Sequence, residues 1–334
     1  GKIRWETVKY TRGQGLDLGC GPDKIWPHAI GVDNYTATAQ FGVSMKPDVA
    51  CNCEKLIFGS ATMDWVYSSH LLEHIKDYQS ALKEWWRVVK PGGFLILYLP
   101  HKDFYPQIGT KGANPDHKND YAPQDIVDAM MDVGGWDLMR NEDRNEEREY
   151  SFFQVYHKRT DGKHLYSHRN PKPAKTAAIV RYGAFGDAIQ ASSVLPGLKE
   201  QGFHITCYTN PRSADVLRHD PHIDAWFVQD TDQVPNHLLG EFWAHEAAKF
   251  DRWINLSESV EGTLLALPGR PNHNWPANLK RRLMDVNYFE FTHELAQVPM
   301  PPKPKFYASD EEKAWARKER ARIGGDTLVM YSLA

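Results

Sequence analysis

From Gly15 to Pro100, short apolar runs alternate with longer stretches in which apolar residues recur every three or four positions, the pattern of β-α units that build a parallel sheet. Strands are predicted at Gly15–Leu18, Ala29–Val32, Trp65–Ser68 and Phe94–Leu99. Between the last two, Tyr78, Ala81, Leu82, Trp85, Trp86, Val88 and Val89 share one helical face. The helix they predict, Asp77–Val89, should stop at Lys90-Pro91-Gly92-Gly93, because proline removes a donor and glycine favours a left-handed cap. A further strand, Ser151–His157, closes this series. The polar, proline-containing stretch 159–175 then reads as a linker.

A second β-α series follows. It has strands at Ala177–Arg181, Ile205–Thr209, Trp226–Val228 and Arg252–Asn255, and helices at Ala188–Glu200 and Glu311–Arg322. Pro268–Pro276 reads as loop and Thr327–Ser332 as a last strand. The pattern therefore predicts an α/β chain of two Rossmann-like domains, 1–158 and 176–334, and 334 residues exceed what one core ordinarily organises.

Composition narrows the function classes. With 41% hydrophobic and 25% charged residues the chain is globular. A net charge of -3 supplies no broad positive field for nucleic acid or an anionic membrane, so the expected partners are small or neutral. Cys20, Cys51, Cys53 and Cys207 lack paired spacing, which predicts neither a disulfide framework nor a structural zinc site. No apolar run reaches the roughly 18 residues of a membrane span, and the expected location is the cytoplasm.

The chemistry is concentrated at strand ends. Gly15-Leu16-Asp17-Leu18-Gly19-Cys20-Gly21 is a strand entering a glycine turn, where Gly19 and Gly21 let the backbone approach a ligand and Asp17 can accept from a cationic amino group. A dinucleotide site would want a third glycine and a helix N-terminus for its pyrophosphate. Here Pro22-Asp23 follows and places negative charge there. At the end of the second strand, Asp33 is positioned to receive both hydroxyls of a ribose.

With these residues, the chain resembles the class I S-adenosylmethionine-dependent methyltransferases. The resemblance extends through Pro47–Leu56, through Asp64–Ile75 and through Trp85–Gly93. It implies S-adenosylmethionine as cofactor, with Asp17, Gly19, Cys20 and Gly21 around the methionine end, Asp33 on the ribose, Asn52 and Cys53 at the adenine edge, and Ser69 at the crevice. Asn52 stands where relatives carry Asp. Methyl transfer from a sulfonium is an in-line displacement that needs alignment and, for a hydroxyl acceptor, a base. His70 and His101 are the candidates. Glu73 and His74 are expected to orient the loop and cap the next helix. The polar insertion Gly109–Tyr121 is expected to cover the acceptor site, and Asp116 and His117 within it lack a third ligand of recognisable spacing, so no metal is expected.

The second half resembles the heptosyltransferases, glycosyltransferases of the GT-B type. The likeness rests on Ala177–Pro196 with its Gly183-Ala184-Phe185-Gly186-Asp187 turn, on Val216–Asp224, on Phe250–Ser257 and on Asn287-Tyr288. It implies the first half of a GT-B fold, with Asp187 as the base acting on an acceptor sugar; helix capping by Asp187 is the competing reading. In that family a second Rossmann domain binds the nucleotide sugar. The final run Leu328–Ala334 would only begin it, so a nucleotide sugar is expected as partner only with a missing carboxyl-terminal domain. Three functions stay open: a fused methyltransferase and glycosyltransferase of polysaccharide biosynthesis, a methyltransferase with a non-catalytic acceptor-binding half, and an assembly protein that keeps both folds.

Overall fold

A computed structural model of the chain describes residues 2–34, 47–146, 148–166, 173–258, 276–284, 287–301 and 303–324. The chain divides into two compact units, one of Gly1–Lys172 with Gln229–His245 and one of Pro173–Val228 with Glu246–Ala334.

The first unit is built on an eight-stranded sheet. Its strands are β1 (Gly15–Leu18), β2 (Ile30–Asp33), β3 (Val49–Ala50), β4 (Met63–Ser69), β5 (Val89–Pro100), β6 (Trp136–Arg144), β7 (Ser151–Lys158) and β8 (His164–Tyr166), in the order β3-β2-β1-β4-β5-β7-β6-β8. β1 to β5 are parallel, and β7 inserts antiparallel between β5 and β6. The central strands are buried throughout, because helices cover both faces of such a sheet. The order in which strands are added reverses between β1 and β4, the switch point at which such folds bind ligands.

The helix Tyr78–Val88 lays Ala81, Leu82, Trp85, Trp86 and Val88 on the sheet. Asp77 is its cap, accepting from Ser80 N at 3.1 Å, so the capping role expected of Glu73 and His74 belongs to Asp77. Lys90–Gly93 is not a free turn after the helix, because β5 starts directly at Val89. Val89 pairs with Met63 and Phe94 with Trp65, leaving Lys90–Gly93 as a bulge. Gly93 is needed there, since a Cβ would stand 2.5 Å from the Asp64 carbonyl oxygen. Trp85 is fully buried, and its Nε1 donates to the Cys53 carbonyl at 2.8 Å. Trp85→Phe should cost about 2 kcal/mol, because a buried carbonyl loses its donor and a small void opens. Urea unfolding with an unchanged slope is the measurement.

Two assignments made from sequence shift in this unit. His164–Tyr166, inside the expected linker, forms β8 and pairs parallel with β6. Gln229–His245, expected in the second domain, belongs to the first unit. Its Asp230 accepts from Arg12 Nε at 3.0 Å and Gly13 N at 2.9 Å, Gln233 donates to the Val8 carbonyl, and Phe242 meets Trp5 with ring centroids 6.0 Å apart.

The second unit holds a four-stranded, wholly parallel sheet of β9 (Thr176–Val180), β10 (His204–Thr209), β11 (Ala225–Val228) and β12 (Arg252–Asn255), in the order β11-β10-β9-β12. Ile179, Val194, Leu198, Ile205 and Ile254 form its core. The helix expected over Ala188–Glu200 is two helices, Phe185–Ser192 and Leu195–Glu200. Ser192 Oγ and Ser193 Oγ bond back to the carbonyls of Ile189 and Gln190, and Pro196 begins the second helix without an N–H. The charged helix spans Asp310–Ile323. The strand expected at Thr327–Ser332 lies outside the described residues, as does the loop Pro268–Pro276 apart from Pro276.

Candidate functional site

The glycine turn after β1 takes the left-handed backbone conformation that favours glycine. Gly19 has φ +67° and Gly21 φ +56°. Gly19 N donates to the Val32 carbonyl at 2.8 Å, holding the turn against β2. A Cβ on Gly19 would lie 3.1 Å from three atoms of the Leu71 side chain, so the glycine lets Leu71 pack directly on the turn.

Asp33 stands beside this turn at the end of β2. Its Oδ2 accepts from Gly21 N at 3.1 Å and its Oδ1 from Asn34 N at 2.8 Å. Each carboxylate oxygen retains a lone pair, so the group is fixed in orientation and still able to accept two hydroxyls. Asp17 is buried beneath the turn with Oδ2 accepting from Ile25 N at 2.6 Å. Burial pushes its carboxyl up to about 7, against the opposing effects of that hydrogen bond and the Lys24 charge. A cationic group brought above the turn would favour its ionised form.

The thiols serve packing. Cys20 and Cys53 are buried, and burial pushes both up to about 12, far from the range of a reactive thiolate. All four cysteines are free. Asn52 is exposed, and its amide is engaged in its own turn, Oδ1 accepting from Glu54 N at 2.8 Å and Nδ2 donating to Glu54 Oε2 at 3.1 Å. Ser69 ends β4, opposite Tyr98 of β5.

His70 follows with φ +51°, a strained position for a residue with a Cβ. Its N donates to the Tyr98 carbonyl at 3.0 Å, and its ring rests edge-on against Tyr98 and Tyr150. Nε2 lies 3.3 Å from Ser151 Oγ and Nδ1 3.5 Å from Glu73 Oε1, with the side chain about one third exposed. His101 differs. It is buried, its Nδ1 accepts from Asp103 N at 3.0 Å, and its ring stacks on Phe104. The nitrogen free to accept a proton is thereby occupied, which leaves His101 as an anchor of the turn after β5.

Sequence reasoning did not find one cluster. Glu73, on a 3-10 turn (Leu72–His74), is 1% exposed, and neither of its carboxylate oxygens has a hydrogen-bond partner among the described residues. The expected acceptor-side insertion packs on it. The Glu73 carbonyl accepts from Lys118 N at 2.7 Å and Asn119 N at 3.2 Å, which brings His117 Nε2 to 3.9 Å from Glu73 Oε1. His74 Nε2 also lies at 3.9 Å. The imidazole of His117 titrates below its usual range, chiefly because it is buried. The His70-Leu71-Leu72-Glu73-His74 spacing was the visible signal; His117, more than forty residues on, was not connected to it.

In the second unit, Asp187 lies in the first turn of Phe185–Ser192. Its Oδ2 accepts from Ala184 N at 2.8 Å and its Oδ1 is 3.1 Å from Arg181 Nη2. A Cβ on Gly183 would stand 2.6 Å from that Oδ2, so the glycine makes room for the carboxylate.

The strand order, the glycine turn and the carboxylate at the end of β2 define a Rossmann-like methyltransferase fold of class I. Residues 16–97 match the family model described as a methyltransferase domain. The first unit therefore carries a class I methyltransferase domain, for which S-adenosylmethionine is the cofactor. The chain is similar to sterol 4-C-methyltransferase strm-1 of Caenorhabditis elegans, 34% identical over 123 residues that make up 32% of this chain and 34% of that protein. It thus spans about a third of the length of that curated relative. Among solved structures, a SAM dependent methyltransferase from Aquifex aeolicus aligns at 16% identity over 46% of this chain and 87% of its own, with a TM-score of 0.34. One from Archaeoglobus fulgidus aligns at 15% identity over 47% and 91%, with a TM-score of 0.36. Among the described residues no helix is long and apolar enough to cross a membrane.

Proposed function

We propose that this chain transfers the methyl group of S-adenosylmethionine to a hydroxyl of a carbohydrate or glycoconjugate, or to a sugar-linked carboxylate. The observation that carries the donor half of this reading is Asp33, its carboxylate oriented by Gly21 N and Asn34 N beside a turn whose positive φ at Gly19 and Gly21 favours glycine. When bound, S-adenosylmethionine supplies an electrophilic methyl group on a sulfonium. Asp33 accepts the two ribose hydroxyls, the backbone of Gly19, Cys20 and Gly21 follows the methionine end, and Asp17 supplies negative potential for its ammonium. Asn52 and Cys53 border the adenine and Ser69 the crevice.

His70 is the base in this reading and His101 is not, because His70 is partly exposed at the end of β4 whereas His101 is buried with Nδ1 accepting from Asp103 N. In this reading the acceptor hydroxyl releases its proton to the His70 ring, whose Nδ1 lies 3.5 Å from Glu73 Oε1.

The acceptor class rests on the resemblance of the second half to sugar-handling enzymes. Both carboxylate oxygens of Asp187 are engaged, Oδ2 by Ala184 N at 2.8 Å and Oδ1 by Arg181 Nη2 at 3.1 Å, the arrangement of a helix cap rather than of a base left open to an acceptor. We therefore assign the second unit acceptor binding rather than sugar transfer. Incubation with labelled methyl donor and a panel of glycans, sterols, RNA and proteins tests the proposal. The sterol arm is included because of what the nematode relative is named for. Labelling of glycan is expected, and exclusive labelling of sterol, RNA or protein would overturn the acceptor.

A further inference from the structure

Among the described residues of the first unit, Glu73 is a buried carboxylate with neither oxygen hydrogen-bonded. Removing a charge from water costs several kcal/mol unless an opposite charge or full hydrogen bonding replaces the lost hydration. Glu73 is 1% exposed and has neither oxygen hydrogen-bonded among the described residues. What surrounds it is a set of imidazoles at distances too long for a hydrogen bond: His70 Nδ1 at 3.5 Å, His74 Nε2 at 3.9 Å and His117 Nε2 at 3.9 Å from Oε1.

The donor atoms of Glu73, His74 and His117 all lie within 4.8 Å of one another, and the His74 and His117 rings meet nearly at right angles, 4.9 Å between centroids. Two imidazoles and one carboxylate around a shared gap form the donor set that suits first-row divalent transition metals, and metal–ligand distances of roughly 2.0–2.2 Å would draw the three atoms together by small side-chain rotations. Two backbone hydrogen bonds from Lys118 and Asn119 to the Glu73 carbonyl fix the insertion that supplies His117. His70 and His74 remain about one third exposed, so the cluster opens to solvent on their side.

We infer that Glu73, His74 and His117 bind a divalent first-row transition-metal ion, with His70 on its open side. The open position and the place at the carboxyl end of β4 match catalytic rather than structural metal sites. The role, unlike the site, rests on the methyl-transfer reading. An acceptor hydroxyl held by the ion has its acidity raised, its proton passes to His70, and its oxygen takes the methyl carbon as the carbon–sulfur bond breaks.

The test is titration of the chelator-treated full chain with cobalt(II), followed by visible absorption and calorimetry, alongside Glu73→Gln, His117→Gln and His74→Asn. One equivalent should bind with the d–d bands of nitrogen and oxygen ligation, and each variant should weaken binding by roughly a hundredfold or more. Thermal melts identify variants that fold, and His74→Asn, at a position about one third exposed, serves if the buried substitutions do not. Absence of cobalt binding by the wild-type chain would overturn the inference, as would full affinity in a folded variant. Donor binding measured on the same sample is independent: metal without donor refutes the methyltransferase reading alone, and donor without metal refutes this site alone.

Discussion

Asp17→Asn should make the ligand-free protein more stable above neutral pH while weakening its hold on the methyl donor. The Asp17 carboxyl is raised from 3.8 to about 7, with burial as the largest cause. The folded state therefore holds a proton that the unfolded chain gives up, and stability present below about pH 4 is lost as pH rises through about 7. At full ionisation the penalty is on the order of 4 kcal/mol, taking about 1.4 kcal/mol per pKa unit. Asparagine removes the charge and keeps an oxygen for Ile25 N, but its amide N–H groups lack an assured partner, so a net gain of about 2–4 kcal/mol is expected at pH 8. Melting curves across pH 4–8 provide the measurement. The wild-type protein should lose stability over that interval and the variant should not. Parallel curves for the two proteins would contradict burial as the origin of the shift. On the proposed reading, an uncomfortable carboxylate under the glycine turn exchanges stability for affinity toward a cationic ligand.

Asp33→Ala should weaken S-adenosylmethionine binding by about 1.5–3 kcal/mol, roughly ten- to a hundredfold, because it removes a charged acceptor from two ribose hydroxyls. The alanine variant also frees Gly21 N, which Asp33 now engages at 3.1 Å. Asp33→Asn separates these effects, since its amide oxygen can still accept from Gly21 N while the charge is gone. A graded loss, Ala greater than Asn, is expected by calorimetry on protein that melts normally. Unchanged affinity in both would remove Asp33 from the site.

Local signals were legible in the sequence and long-range ones were not. β1 falls on the predicted Gly15–Leu18 and β12 on the predicted Arg252–Asn255, because short apolar runs bounded by turn residues define buried strands. The turn at Gly19 and Gly21 and the strand-end place of Asp33 were legible for the same reason: backbone conformation and strand-end position are local properties, and Asp33 meets the turn at Gly21 N. Lys90–Gly93 misled because proline and glycine read equally as a turn and as a bulge, and only the register of β4 against β5 distinguishes them. Gln229–His245 carries no marker of its attachment, since Asp230 meets Arg12 and Gly13 across more than two hundred residues. The Glu73 cluster was half visible, its completing histidine arriving on an insertion whose docking no periodicity encodes.

The central claim is that the first unit holds one S-adenosylmethionine site, and the most direct measurement is calorimetric titration of the full chain with S-adenosylhomocysteine, the demethylated product of the donor. The account predicts saturable binding of one molecule per chain, weakened in Asp33→Ala. A folded chain that shows no binding of this product or of the donor would contradict it.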